Sequence, residues 1–152
     1  VADLTTSPVE KPDLISVQRD VDAQTALHFG RDGRIYIYTD REAPRGRIMV
    51  TTPGQWGFAQ WQDLVPEDQD SVLEGWAVLD GAALDEPILL VARSSHAVSH
   101  LTRHQLASGE PIGDSGLYHL PDGGRVELGF RFKREFWGRG FAVEVGRAWI
   151  RR

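Results

Sequence analysis

Between residues 125 and 133 polar and apolar positions alternate. Val126, Leu128, Phe130 and Phe132 are set against Arg125, Glu127, Gly129, Arg131 and Lys133. A two-residue period of this kind predicts a strand with one buried face. From Phe141 the period lengthens to four: Phe141, Val145 and Trp149 recur, with Ala142 and Ala148 beside them. That is the apolar stripe of a helix. Trp137-Gly138-Arg139-Gly140 lies between the two and reads as a glycine-bearing turn feeding a helix start. A strand, a glycine turn and a helix N-terminus together make an anion site. Free backbone N–H groups and the positive end of the helix dipole point the same way there.

The earlier chain is patterned as short strands. Ile35-Tyr36-Ile37-Tyr38-Thr39 follows an Asp-Gly turn signal at Asp32-Gly33, and residues 47–52 form a second β-branched run stopped by Pro53-Gly54. Residues 75–81 and 87–93 read as two further strands joined by a longer loop, and Leu14 to Val17 as a short first strand. Residues 1–13, with two prolines, read as a loosely ordered lead-in, and residues 63–71 as an acidic connector. Trp56, Phe58 and Trp61 suit half-buried strand or core positions better than a ligand platform. Residues 94–106 predict a short helix with serine as N-cap. His96, His100 and His104, spaced four apart, would share its face. Without a following HExxH-type Glu or any cysteine, these histidines assign no metal.

The fold class expected is α+β, a mostly antiparallel or mixed sheet with one C-terminal helix in a single domain over 1–152. An all-β sandwich or barrel is the alternative, because Phe141 to Val145 also alternates and its residues favour sheets.

Composition changes this picture only at one end. The hydrophobic fraction of 41% and the charged fraction of 26% are those of an ordinary soluble protein. The absence of cysteine excludes disulfides, thiolate metal sites and a cysteine nucleophile. No apolar run is long enough to span a bilayer and no signal-peptide pattern opens the sequence, so a cytoplasmic location is expected. The net charge of −5 is uneven. Residues 125–152 carry eight Arg or Lys against three Glu, a local +5, which leaves −10 for residues 1–124. That asymmetry suits an anionic ligand on the C-terminal segment, but charge alone favours a solvated strand face and helix face, and no nucleic acid partner is expected.

Three stretches carry a resemblance: Gly109-Glu110-Pro111-Ile112-Gly113-Asp114-Ser115-Gly116-Leu117, Val126-Glu127-Leu128-Gly129-Phe130, and Trp137-Gly138-Arg139-Gly140-Phe141-Ala142-Val143-Glu144. In this order and spacing, residues 106–152 resemble the GCN5-related N-acetyltransferases, nearest the branch that includes the ribosomal-protein alanine acetyltransferases. The resemblance implies a central strand, a following strand, and a turn and helix that grip acetyl-coenzyme A. It implies that backbone N–H groups from Trp137 through Gly138, Arg139, Gly140, Phe141 and Ala142 hold the pyrophosphate, with Arg134 or Arg139 nearby. The backbone of Phe130 and Phe132 would hold the pantetheine arm. It also implies an amine acceptor, whose ammonium must lose a proton. Glu127, on the strand face opposite the apolar residues, is the candidate base, and a solvated strand glutamate is the other reading of it.

This sequence departs from the family pattern at Glu135, where Gln or Arg is common, and in residues 1–105, which read as strands instead of an opening strand and helix. The family pattern also continues through a further strand and helix, so the acetyltransferase-like fold is expected to be incomplete. The alternative function is a non-enzymatic, β-rich structural or interaction module that reuses an acetyltransferase-like segment, with oligomerisation through sheet edges.

Overall fold

The computed structural model describes residues 1–2, 7–81, 86–96, 98–120 and 124–150, with the side chains of residues 119, 144 and 148–150 set aside. Two antiparallel sheets, each a meander in chain order, make up the body. The first holds β1 (Thr25–Phe29), β2 (Ile35–Thr39), β3 (Arg47–Thr51) and β4 (Gln62–Val65). The second holds β5 (Val72–Leu79), β6 (Ile88–Ser95), β7 (Val98–Gln105), β8 (Pro111–His119) and β9 (Val126–Phe132). A short 3-10 turn at Arg134–Phe136 then leads to α1 (Phe141–Ile150). This is the expected α+β composition, antiparallel throughout the described strands, and among them no barrel closes. The segment 141–150 is helix, which settles the choice between helix and strand there.

Alternation explains how the sheets stack. On β2, Tyr36 and Tyr38 face one way and Ile35 and Ile37 the other, and Ile35, Tyr36 and Ile37 have no exposed surface. The tyrosine face meets the second sheet. Tyr36, Ile48, Leu64 and Val65 pack with Leu73, Leu89, Val91 and Leu106 in one core, with Trp76 and Val78 against it. The isoleucine face forms a second core with Met49 and Trp61, covered by Val17, Leu27, Trp56 and Phe58. A third, smaller cluster joins Ile112, Phe136 and Phe141 with Phe132, on the C-terminal part of the chain. Successive stretches of chain thus supply successive layers, and each core lies between neighbours in sequence order.

Three expectations fail here, and a fourth holds in part. Residues 94–106 are not helical: residues 98–105 are β7, an interior strand paired to β6 and β8. Val98 and Thr102 are β-branched, and the backbone pairing available on both sides outweighs a serine cap. The turn falls at His96, which takes a positive φ of 51°. Leu14 to Val17 carries no strand, and the first strand, β1, lies at Thr25–Phe29 where none was expected. Instead Val1 and Ile15 exchange backbone hydrogen bonds of 2.9 and 2.7 Å. Residues 63–65 of the acidic connector belong to β4, with Leu64 and Val65 in the core between the sheets. Phe58–Gln60 is a 3-10 turn and no strand, although Trp56, Phe58 and Trp61 do serve the second core. The loop expected between residues 81 and 86 lies largely outside the described residues.

Candidate functional site

The site begins with an edge. β9 is the last strand of its sheet, paired only to β8 among the described residues. Hydrogen-bonding direction alternates along a strand, so residues of one parity turn their backbone groups away from the partner. Lys133 donates its N–H to Ile112 on β8's side, at 3.0 Å. The Trp137 indole donates to the Phe132 carbonyl on the opposite side, at 2.8 Å. By parity, Leu128 and Phe130 direct their N–H and C=O to the same open edge as Phe132. Of the two strand residues singled out from the sequence, Phe130 keeps its outward backbone groups, while the Phe132 carbonyl already accepts the Trp137 indole.

The expected burial of the apolar face of β9 is only partly realised. Phe132 joins Ile112, Phe136 and Phe141, but Val126 and Phe130 remain 53% and 45% exposed. The cause is position: an edge strand receives a covering layer only where the following turn folds back onto it.

That turn is set by two glycines. Gly138 and Gly140 adopt φ of 77° and 83°, a left-handed backbone that costs an L side chain roughly 1–2 kcal/mol. Two such residues within three positions bring the chain from the 3-10 turn straight into α1. The first-turn N–H groups of a helix lack intrahelical acceptors, and Phe141 and Ala142 supply them here. Phe130, Arg131, Phe132, Phe136, Trp137, Gly138, Gly140, Phe141, Ala142 and Val143 line an open cavity of about 620 Å³ at this corner. Seven of the residues expected to hold a cofactor therefore share one cavity wall. Trp137 stands 67% exposed on its rim.

The two arginines fall differently. Arg134 is exposed on the 3-10 turn. Arg139 lies over the Phe136 and Phe141 rings, 5.6 and 5.4 Å from their centroids, and pairs with Glu86 at 3.4 Å. Sequence reading missed Arg103. From β7 its guanidinium stacks 3.6 Å from the centre of the Phe141 ring, so two guanidinium groups flank the first residue of α1. No local signal on β7 could have shown this, because the contact joins residues 38 positions apart.

Glu127 is exposed on the face of β9 opposite the apolar side chains, directly across from Tyr118 on β8. The Tyr118 hydroxyl lies 3.5 Å from His100 Nδ1, with the rings 5.7 Å apart in an edge-to-face arrangement. Asp114 and Arg131 form a forked ion pair on the same face, with contacts of 3.2 and 2.9 Å that hold the guanidinium further into its charged range. Lys133 pairs with Glu110. Tyr118 is thus a polar, partly exposed neighbour of Glu127 that the sequence did not mark, and His100, singled out there only for its spacing, lies against Tyr118.

The three histidines do not share a face. His96 sits in the turn after β6, and His100 pairs with Tyr118. His104 is buried with its Nδ1 2.7 Å from the Gly109 carbonyl. Burial lowers its pKa from the ordinary 6.5, only partly offset by that hydrogen bond. Among the described residues, no group of three His, Asp or Glu is placed to hold a metal ion. No described helix is long and apolar enough to cross a membrane.

Comparison with known proteins supplies three findings. No curated protein matches the chain. A solved structure from a structural and mechanistic analysis of two prolyl endopeptidases matches with a TM-score of 0.56 at 22% identity. The match covers 77% of this chain and 21% of that one, so this chain spans about a fifth of its length. At this identity the likeness concerns the fold and carries no peptidase chemistry across. The sequence itself is matched by a family model over residues 33–152, which takes in both sheets from β2 onward, the glycine turn and α1. On that match the chain belongs to the acetyltransferase (GNAT) domain family.

Proposed function

We propose that the chain binds acetyl-coenzyme A at the corner between β9 and α1 and directs its acetyl group to an amine. The observation that carries this reading is the paired left-handed glycines at the N-terminus of α1, opening onto a cavity beside an unpaired strand edge. The coenzyme thioester supplies an activated acyl carbon. The chain supplies the rest. N–H groups along Gly138 to Ala142 meet the pyrophosphate, while that of Trp137, expected among them, already donates to the Arg134 carbonyl at 3.1 Å. Close approach needs no Cβ at Gly138 or Gly140. A phosphate there gains about 0.3–1 kcal/mol from the helix dipole, and Arg134 adds charge beside it. The outward backbone of Phe130 receives the amide groups of the pantetheine arm as a further strand would. Glu127, on the face of β9 opposite Phe130 and Phe132, takes the proton of the incoming ammonium through water across the strand edge. The freed amine attacks the thioester carbonyl, the C–S bond breaks, and coenzyme A leaves as the thiolate, which takes up a proton. The chemistry calls for a coenzyme A thioester and an amine as partners, and for neither membrane nor nucleic acid. A cytoplasmic location accords with it.

Titration calorimetry with acetyl-coenzyme A tests the reading. A Kd on the order of micromolar is expected, weakening with salt. Gly138→Trp should abolish the heat by filling the turn. An absence of heat at millimolar ligand would sink the proposal.

A second reading rests on the solved-structure likeness, which spans 77% of the chain. Under it, the stacked meanders are a non-catalytic scaffold that assembles through sheet edges. A sizing column showing concentration-dependent oligomers, together with no coenzyme binding, is what that reading expects.

A further inference from the structure

A second cavity, of about 450 Å³, lies on the face of the five-stranded sheet turned away from the first sheet. Its floor crosses the sheet. Leu79 comes from β5, Leu90 and Ala92 from β6, Leu101 and Arg103 from β7, Gly113 and Ser115 from β8. Strand register accounts for this. Leu90 pairs with Arg103, Arg103 with Gly113 and Gly113 with Phe132, while Ala92 pairs with Leu101 and Leu101 with Ser115. Two adjacent rows of side chains on one face thus run from the interior of the sheet to its β9 edge. Ala92 is small and leaves part of the rows open, the Phe132 ring fills the space above Gly113, Ser115 is buried, and Val145 of α1 lines the same cavity. The polar lining groups are few, among them Glu74, His100 and Asp114. Asp114 is neutralised by Arg131, and Glu74 accepts the Ser94 hydroxyl at 2.7 Å.

Two facts connect this groove with the coenzyme corner. Phe132 lines both cavities, so they meet at one ring. Phe141, whose backbone opens α1 on the corner side, carries the stacked Arg103 guanidinium, which is itself part of the groove lining. An elongated, mostly apolar groove that begins beside a thioester-binding edge suits an aliphatic chain. A polar acceptor would leave its hydrogen-bonding groups unpaired against Leu79, Leu90, Ala92 and Leu101.

We propose that this groove holds the acyl chain of a medium-chain acyl-coenzyme A, so that the transferable group extends beyond acetyl. The inference rests on the coenzyme reading of the neighbouring corner. Each methylene removed from water into an apolar site strengthens binding by roughly fourfold at full burial. An open groove delivers part of that.

The test is a calorimetric series on the full chain with coenzyme A, acetyl-, butanoyl- and octanoyl-coenzyme A. Affinity should rise with chain length, octanoyl-coenzyme A binding at least about 30-fold tighter than acetyl-coenzyme A. Leu101→Glu, which sets a charge on the groove floor, should erase that gain while leaving acetyl-coenzyme A affinity within about twofold. Equal affinities for acetyl and octanoyl thioesters, with both binding, would overturn the groove assignment and leave the coenzyme corner intact. Undiminished octanoyl preference in Leu101→Glu would overturn it as well. Binding by none of the four compounds would overturn the coenzyme reading and the groove with it. The unmodified-protein series stands whatever the variant's ability to fold, which circular dichroism reports.

Discussion

The core between the two sheets and the corner formed by β9 and α1 are built from the same kinds of residue to opposite ends. Between the sheets, Tyr36, Ile48, Leu89 and Val91 lose all contact with water. At the corner, Phe130, Trp137 and Val143 keep about half or more of their surface exposed. The first region stabilises the fold, because burial of apolar side chains is where folding free energy is gained. The second, where burial is confined to Ile112, Phe136 and Phe141, gains less from it and leaves apolar rings, helix N–H groups and a strand edge exposed. The strand edge makes the contrast sharp, since an exposed edge is a hazard unless something covers it.

Substitutions should separate the regions, beginning with the largest effect. Leu89→Ala is expected to lower unfolding free energy by about 2–5 kcal/mol in urea denaturation. Val143→Ala, at the corner, should change it by less than about 0.5 kcal/mol. Comparable losses would show that α1 is as much a part of the core as β6. Next comes Glu127→Gln, with an expected fall in turnover of about 100-fold at unchanged acetyl-coenzyme A affinity. Unaltered turnover would return Glu127 to the status of a solvated strand residue.

Gly109→Ala probes the join between sheets. Gly109 has φ of 71°, and a Cβ there would fall on the Leu64 carbonyl. The strain should cost about 1–3 kcal/mol, read as a lowered denaturation midpoint with the coenzyme corner unaffected. Coenzyme binding that falls in step with stability would show the two regions to be coupled.

The mildest effect is on pH dependence. Burial holds the His104 pKa below its ordinary 6.5, so the unfolded chain binds the proton more readily than the folded one. Stability from this group is complete above about pH 6.5 and declines as pH falls below it. His104→Gln should flatten that part of the profile. An unchanged slope would place the sensitivity elsewhere. Asp32 acts lower on the scale. Burial raises its pKa, but hydrogen bonds from Tyr36 and Arg34 outweigh burial and hold it below 3.8, so its contribution is lost only as pH falls past that range.

Much of the corner was legible because its signals are local. Alternation over 126–132, the glycines at 138 and 140, and the four-residue period from Phe141 each act within a few residues, and strand, turn and helix form where they point. Seven of the residues expected at the cofactor site line one cavity for the same reason. Arg103 and Tyr118 escaped, and His100 was marked only for its spacing, because they reach the corner or its strand face through pairings across β7, β8 and β9, and those registers leave no mark on neighbouring residues. β1 escaped too. Its five residues, Thr25 to Phe29, offer a weak pattern that pairing with β2 completes.

By itself the sequence determined that residues 35–39, 47–51, 88–93 and 126–132 extend, and that one end carries a glycine turn feeding a helix. These follow from side-chain periodicity and from what glycine permits. Tertiary structure alone decided that residues 98–105 are an interior strand, since a segment between two pairing partners takes their geometry over its own weak helical preference. It also decided that β9 lies at an edge. The apolar face of that strand then stays partly open because, among the described residues, a covering layer reaches it only at Phe132, and an alternating pattern cannot reveal whether the layer it calls for is present.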